Sequence, residues 1–442
     1  AGVSPDNQPI CYRRLDEAPF CMKKEHHSIW ILSVVLLFST LAHAQPDVLT
    51  LEQAVELAIE RAPQTQARAA ALEGAQAEAV SAGRLPDPEL LVGIDNLPTT
   101  GADAWSLNRD FMTMRKTGVM QAFPNRAKRS SQRERAAASV ALAHSASEQT
   151  RLETARAAAT AWVDAYAAEL VLAKLQALKP EVELQARAAR AALASGRGST
   201  VDALAAQDAI SELDNRVLDA QRDARAARAE LARWIGEAAG QALGAEPPLR
   251  DLPAPREQLF ASLDRQGPLL TFDAQRALAQ SEIDLARAEK RPDWSAELAY
   301  AKRGDAFSDM VSLQFRVGLP LFSRYRQDPM IRAKRAELSE LEAEREAALR
   351  MQAAEVTRQL AAWDAARQRI ELYERERLLL ARERSQAALA SFQAGRIEFL
   401  SVLTSQVTEI ELQRDYAELI KALGQAWAFL KYLEPGQETS HE

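Results

Sequence analysis

A chain of 442 residues is long enough for two or three ordinary domains, but 26% of it is charged, aromatics make up 6%, and much of the 47% apolar content is alanine. Such a composition forms helix readily and cannot fill a deep core, so long helices packed through small side chains are expected. The formal net charge of −7 gives no basis for a nucleic-acid partner.

Residues 1–21 read as upstream sequence ahead of a start at Met22. Met22-Lys23-Lys24 is a basic beginning, Ile29 to Leu41 a short apolar run, and Ala42-His43-Ala44 a small-residue cleavage site. Residues 22–44 are therefore expected to be an export signal, cleaved near Ala44. The mature chain then starts near Gln45 without Cys11 and Cys21, its two cysteines. Such a mature chain excludes thiol catalysis and suits an exported protein without disulfides, and no N-terminal lipid anchor is expected.

The first half of the mature chain, residues 45–236, opens on an amphipathic helix from Leu49 to Arg61, with Thr50 and Gln53 spaced for a capping box. A second helix is expected from Pro63 to about Arg84, stopped by Leu85-Pro86-Asp87-Pro88. The period then changes to two: Leu90, Val92 and Ile94 alternate with Glu89, Leu91 and Gly93. A polar loop leads to a second alternating stretch from Phe111 to Phe123. Asn125 is placed to cap a helix running to Ser195, which Pro180 should kink. Gly196 to Thr200 is a tight turn, and a return helix spans Val201 to Ile235.

Residues 237–267 carry Pro247, Pro248, Pro253 and Pro255 and read as a loose linker with at most a short helix near Gln258 to Arg265. The pattern then starts again over residues 268–434. A helix from Pro268 to Arg291 stops at Pro292-Asp293. Trp294 to Tyr300 and Val311 to Val317 alternate as strands, and Asp328-Pro329 are placed as N-cap and first residue of a long helix. From Ile331 to Ala394 there is neither glycine nor proline. Leu349, Val356, Trp363 and Ile370 fall seven apart, a coiled-coil seam, and roughly 64 residues would make a rod of about 95 Å. Gly395-Arg396 turns the chain into a helix from Ile397 to about Leu433, and residues 435–442 are a polar tail.

The two halves superimpose at their turns without gaps: Gly196 on Gly395, Arg197 on Arg396, Leu204 on Leu403, Gln207 on Gln406 and, at the same offset, Phe123 on Phe322. Such internal duplication outweighs any single motif. Four strands of roughly nine residues with one apolar face have the length and pattern of transmembrane β-strands. Four strands do not close a barrel and open edges are not tolerated in lipid, so membrane-spanning strands would require an oligomer.

The duplicated order of helix, hairpin, long helix, turn and helix, with Val317-Gly318-Leu319-Pro320-Leu321-Phe322 and the Gly395-Arg396 turn before Val402-Leu403, resembles the TolC-type outer membrane efflux proteins over Leu49 to Leu433. The resemblance implies a mainly α fold with a membrane β-barrel part: a homotrimer with a twelve-stranded barrel in outer membrane lipid, continuous with a periplasmic α-helical coiled-coil barrel. It implies a periplasmic adaptor and an inner-membrane pump of the resistance–nodulation–division (RND) type as partners. Leu85-Pro86-Asp87-Pro88, Gly93, Leu97-Pro98, Met112-Thr113-Met114, Gln121-Ala122-Phe123-Pro124 and Lys128-Arg129 resemble the heavy-metal resistance branch. The expected activity is passive export of heavy-metal cations; the alternatives are multidrug efflux, type I protein secretion or, in another class, a periplasmic coiled-coil adaptor.

Enzymatic chemistry finds little support. After signal removal only His144 and His441 remain, too few for a zinc site or a triad, and no cofactor or resident metal is expected. Met112, Met114 and Met120 share one strand face and could serve as soft thioether ligands, but the alignment of Met114 and Met120 with Leu313 and Leu319 points them to lipid, together with Lys116. Thr113, Arg115 and Thr117, with Ser312, Gln314 and Arg316, would then line the lumen. Gly196, Arg197, Gly395 and Arg396 at the tips are expected to contact the adaptor. Asp202 matches an acidic gate position of relatives, whereas Ser401 and Thr404 fall where those relatives are acidic. All three are taken as gate residues.

Overall fold

The computed structural model describes residues 48–435 apart from Arg197. The expected export signal with its cleavage site near Ala44, residues 1–21, most of the polar tail and Arg197 lie outside the described residues.

Helix α1, Leu51–Arg61, begins as its sequence dictates: the Thr50 hydroxyl accepts from the Gln53 N–H, and the Gln53 side chain accepts from the Thr50 N–H. Just before it, Leu49 forms a parallel bridge to Leu243 of the linker. Helix α2, Pro63–Ser81, ends sooner than expected, because Gly83 takes φ +65° ahead of the proline pair. Strands β1, Glu89–Asp95, and β2, Met114–Phe123, follow. Helix α3, Arg126–Ala194, runs through Pro180 as one helix of 69 residues, about 100 Å long. Helix α4, Thr200–Ile235, returns beside it.

The same order comes back in α6, Phe272–Ala288, β3, Trp294–Lys302, β4, Met310–Val317, and the long helix with its return α9, Phe399–Lys431. The long helix differs from expectation in two ways. It starts at Gln327, so Asp328 is its second residue and pairs with Lys290 instead of capping. It is also two helices, α7, Gln327–Leu372, and α8, Leu378–Gln393, joined by one wide i→i+5 turn over Tyr373–Arg377. There Glu374 accepts both guanidinium nitrogens of Arg250 (2.6 and 2.9 Å) and the Tyr416 hydroxyl (2.6 Å). The linker and α9 thus grip the helix at its one irregular turn.

The linker is not loose. It contains the short helix α5, Arg256–Ala261, and buries Leu249 and Leu259. Three buried or nearly buried indoles donate to carbonyls that wrap the helices: Trp162 to Leu49 (3.0 Å), Trp363 to Leu249 (2.9 Å) and Trp427 to Asp251 (3.0 Å). Each satisfies its N–H while contributing its ring to the main core, which includes Val356, Trp363 and Ile370 of the expected seam. This core girdles the middle of the helices. Smaller apolar clusters lie towards the tips, such as Leu175, Val182, Leu213 and Val217 between α3 and α4, and ion pairs add to them. Lys179–Asp214 ties α3 to α4, and Arg135–Glu282 and Lys334–Glu282 hold α6 to α3 and α7.

The four strands form one antiparallel sheet in the order β1-β2-β3-β4, leaving β1 and β4 as its edges. Its junction with the helices is locked at Asp293. One carboxylate oxygen accepts from the Asn125 backbone and side chain (2.7 and 2.9 Å), while the Asn125 side-chain oxygen caps α3 at the Lys128 N–H.

Candidate functional site

Residues directly opposite in a ladder share a face of the sheet. One face carries Leu90, Val119, Leu298 and Leu313 in one row and Val92, Thr117, Tyr300 and Val311 in the next. Phe123, Trp294 and Val317 form its end, with the two rings stacked at 4.1 Å. These apolar side chains lie largely open, Val92 at 75% exposure. The other face carries Glu89, Met120, Glu297 and Gln314 in one row and Ala122, Ser295 and Arg316 in another. It is crowded: Ala299 and Ala301 are buried, and a Cβ on Gly118 would stand 2.7 Å from that of Ala299. Small side chains permit this close approach.

Glu297, 3% exposed, is the centre of that polar face. Its two carboxylate oxygens take Lys116 Nζ and Arg316 Nη2, each at 2.6 Å. The ladder corrects the sequence reading of β2. Met114, Lys116 and Met120 lie on the polar face with Gln314 and Arg316; Arg115 and Thr117 lie on the apolar face, Arg115 opposite Ile94 and Lys302. The offset that aligns the tips slips by an odd number of residues in the strands: it would set Met114 on Leu313, yet the ladder puts those two on opposite faces. Only Pro124 and Asn125 separate β2 from α3, whereas residues 318–326 separate β4 from α7. An odd slip turns every side chain over. Lys116, assigned to the lipid side, is the polar partner that Glu297 requires. That pairing was hidden in the sequence, where Glu297 is one more polar residue in an alternating strand.

At the opposite end, Gly196 and Gly395 both take φ +73°, a conformation that side-chain-bearing residues seldom adopt. The second tip closes with Gly395 N–H to Phe392 O and Arg396 N–H to Ser391 O, both 2.9 Å, leaving the Arg396 side chain exposed. The tips are joined within the protomer: the Asp202 carboxylate accepts from the Phe399 N–H at 3.3 Å. Helix α9 has no side-chain cap of its own from Glu398, so Asp202 supplies one from the neighbouring hairpin. Phe399 beside it is buried with Ala186, Ala206 and Val402. Ser401 and Thr404 are exposed on α9 and line a groove of about 420 Å³ with Arg384 and Ser391 of α8, apart from the Asp202 contact.

Between sheet and tips, Arg250 holds the Glu374 carboxyl below its usual range, while burial and Glu374 push the Tyr416 hydroxyl up. Asp164, facing Gln425 and Lys421, is raised by burial. Among the described residues no helix is long and apolar enough to cross a membrane.

The architecture has known counterparts. A membrane protein from Pseudomonas aeruginosa superimposes with TM-score 0.75 at 16% identity, over 89% of this chain and 92% of its own. The CmeC outer membrane channel of Campylobacter jejuni gives 0.74 at 12%, over 88% and 87%. The outer membrane protein VceC of Vibrio cholerae gives 0.71 at 18%, over 87% and 96%. This chain shares their fold. No family model matches the sequence, and no curated protein does. The likeness is carried by architecture alone.

Proposed function

We propose that this chain is the outer membrane duct of a tripartite efflux system, of the TolC type. Three copies would join β4 of one to β1 of the next, turning three open sheets into a twelve-stranded barrel with the apolar face in lipid and the Glu297 face inside. The helices would continue as a periplasmic tube whose tips, Gly196-Arg197 and Gly395-Arg396, dock on a periplasmic adaptor served by an inner-membrane RND pump. Asp202, Ser401 and Thr404 would lie near the periplasmic gate, and Gln314 and Arg316 would line the barrel. Transport through it is passive and uses no cofactor. Export through the signal at 22–44 would deliver the chain to its membrane.

One observation carries this reading: an open sheet with one exposed apolar face and two free edges, on the fold of the outer membrane channels CmeC and VceC. A periplasmic adaptor has no use for such a sheet. Detergent extracts of outer membranes should yield a heat-modifiable oligomer of three chains; a soluble periplasmic monomer would overturn the proposal. For cargo we favour heavy-metal cations, on the first-half segments from Leu85-Pro86-Asp87-Pro88 to Lys128-Arg129. A strain lacking the gene should become sensitive to zinc, cobalt, cadmium, copper or silver. Sensitivity to dyes and antibiotics alone would move the duct to multidrug efflux.

A further inference from the structure

The segment between β4 and α7, Gly318-Leu319-Pro320-Leu321-Phe322-Ser323-Arg324-Tyr325-Arg326, has no counterpart at the β2–α3 corner, where two residues suffice. Backbone hydrogen bonds tie it down at both ends: Gly318 N–H donates to Asp293 O (2.8 Å), Tyr325 N–H to Phe322 O (3.0 Å) and Asp328 N–H of α7 to Ser323 O (2.8 Å). Yet Leu319, Leu321, Phe322 and Tyr325 all stand exposed, Leu321 and Tyr325 at 76%. A segment tied down by several backbone hydrogen bonds that still presents its apolar side chains outward is built to meet an apolar surface.

Along the chain, Leu319 and Leu321 carry on the alternation of the exposed Val311, Leu313, Phe315 and Val317 of β4. At about 3.4 Å per residue, the 8 residues of β4 reach about 27 Å, and a tilt of about 45° leaves them about 19 Å tall. An outward apolar band is about 25 Å tall, so the strand falls short and the segment supplies the rest. Its charges are one-sided. Arg324 and Arg326 are its only ionisable groups besides Tyr325, it has no acid, and among the described residues neither arginine has an ion-pair partner. Arg324 lies over the Tyr325 ring at 5.9 Å.

Resting on the outer membrane reading, we propose that residues 318–326 are a lipid anchor that selects anionic phospholipid headgroups in the periplasmic leaflet. Leu319, Leu321 and Phe322 enter the acyl boundary, and Arg324 and Arg326 reach past the Tyr325 ring to the headgroup phosphates, apolar stem below and charge above.

The test uses the purified oligomer carrying Phe322→Trp, reconstituted in vesicles with brominated phosphatidylglycerol or brominated phosphatidylcholine in an unbrominated neutral background. Fluorescence added by the new indole should be quenched at severalfold lower phosphatidylglycerol than phosphatidylcholine. Adding Arg324→Gln and Arg326→Gln should remove that preference, about tenfold at low salt, without lowering the heat stability of the oligomer. Equal quenching by both lipids would overturn the headgroup selection while leaving the membrane reading in place. No quenching, with the arginine changes weakening the oligomer, would overturn the anchor and make the segment a contact between copies. Failure of the protein to insert at all would overturn the duct itself.

Discussion

Removal of the Asp202 carboxylate is the sharpest probe of how the tips are held. Asp202 bonds the Phe399 N–H at 3.3 Å, longer than the usual 2.9–3.0 Å for N–H···O. Helix caps contribute roughly 0.5–2 kcal/mol, so this one belongs in the lower half, about 0.5–1 kcal/mol. If the chain is the trimeric duct proposed above and this contact belongs to its closed state, three such losses total about 1.5–3 kcal/mol, which raises the open:closed ratio roughly 10- to 150-fold. Asp202 also lies in the first turn of α4, where its charge favours the helix dipole. Asp202→Asn separates the two roles, keeping an acceptor for Phe399 while removing the charge. The assay is open probability in planar bilayers at fixed voltage and salt. Asp202→Ala should open the channel strongly and Asp202→Asn much less. An unchanged open probability in the alanine variant would refute the latch, and equal effects of both would place the control in charge rather than in the cap.

Three other outcomes follow from packing and charge. Gly424→Ala in α9 would bring a Cβ to 2.5 Å from Val163 Cγ1, and β-branched Val163 cannot turn away. Overpacking of about 1–3 kcal/mol should outweigh the roughly 1 kcal/mol gain in helix propensity, lowering the melting temperature by circular dichroism; Val163→Ala should restore much of it. Because Glu374 titrates below its usual range in the fold, the Arg250–Glu374 clamp contributes fully above the unfolded value of about 4.3 and is lost as pH falls through the folded value. Arg250→Gln should therefore lower the melting temperature by a few degrees at pH 7, with the gap from wild type closing towards pH 3. A pH-independent gap would refute the clamp. Glu297→Gln leaves Lys116 and Arg316 without their counter-charge, so reversal potentials in a salt gradient should shift towards anions. An unmoved potential would remove Glu297 from the conduction path.

Much of the fold was legible in the chain because its signals are local. The Thr50–Gln53 capping box, the proline stops, the Asn125 cap and the glycines at 196 and 395 act within a few residues of themselves, so spacing alone locates them. The change of period from helix to strand is equally local. What spacing could not supply was the phase of β2 against β3, since a match made at the helix tips does not survive loops of different length. Met114, Lys116 and Arg115 consequently changed faces. Nor could it supply contacts across long separations: Asp202 on Phe399, Arg250 on Glu374, Glu297 between Lys116 and Arg316, or the indoles on the linker carbonyls. The sequence by itself determined which segments are helix or strand and where they turn, because those choices depend on backbone propensity, capping and near neighbours. The tertiary structure decided which face is polar and what holds the long helix at its wide turn, because these depend on register and on charges that meet only when distant segments pack.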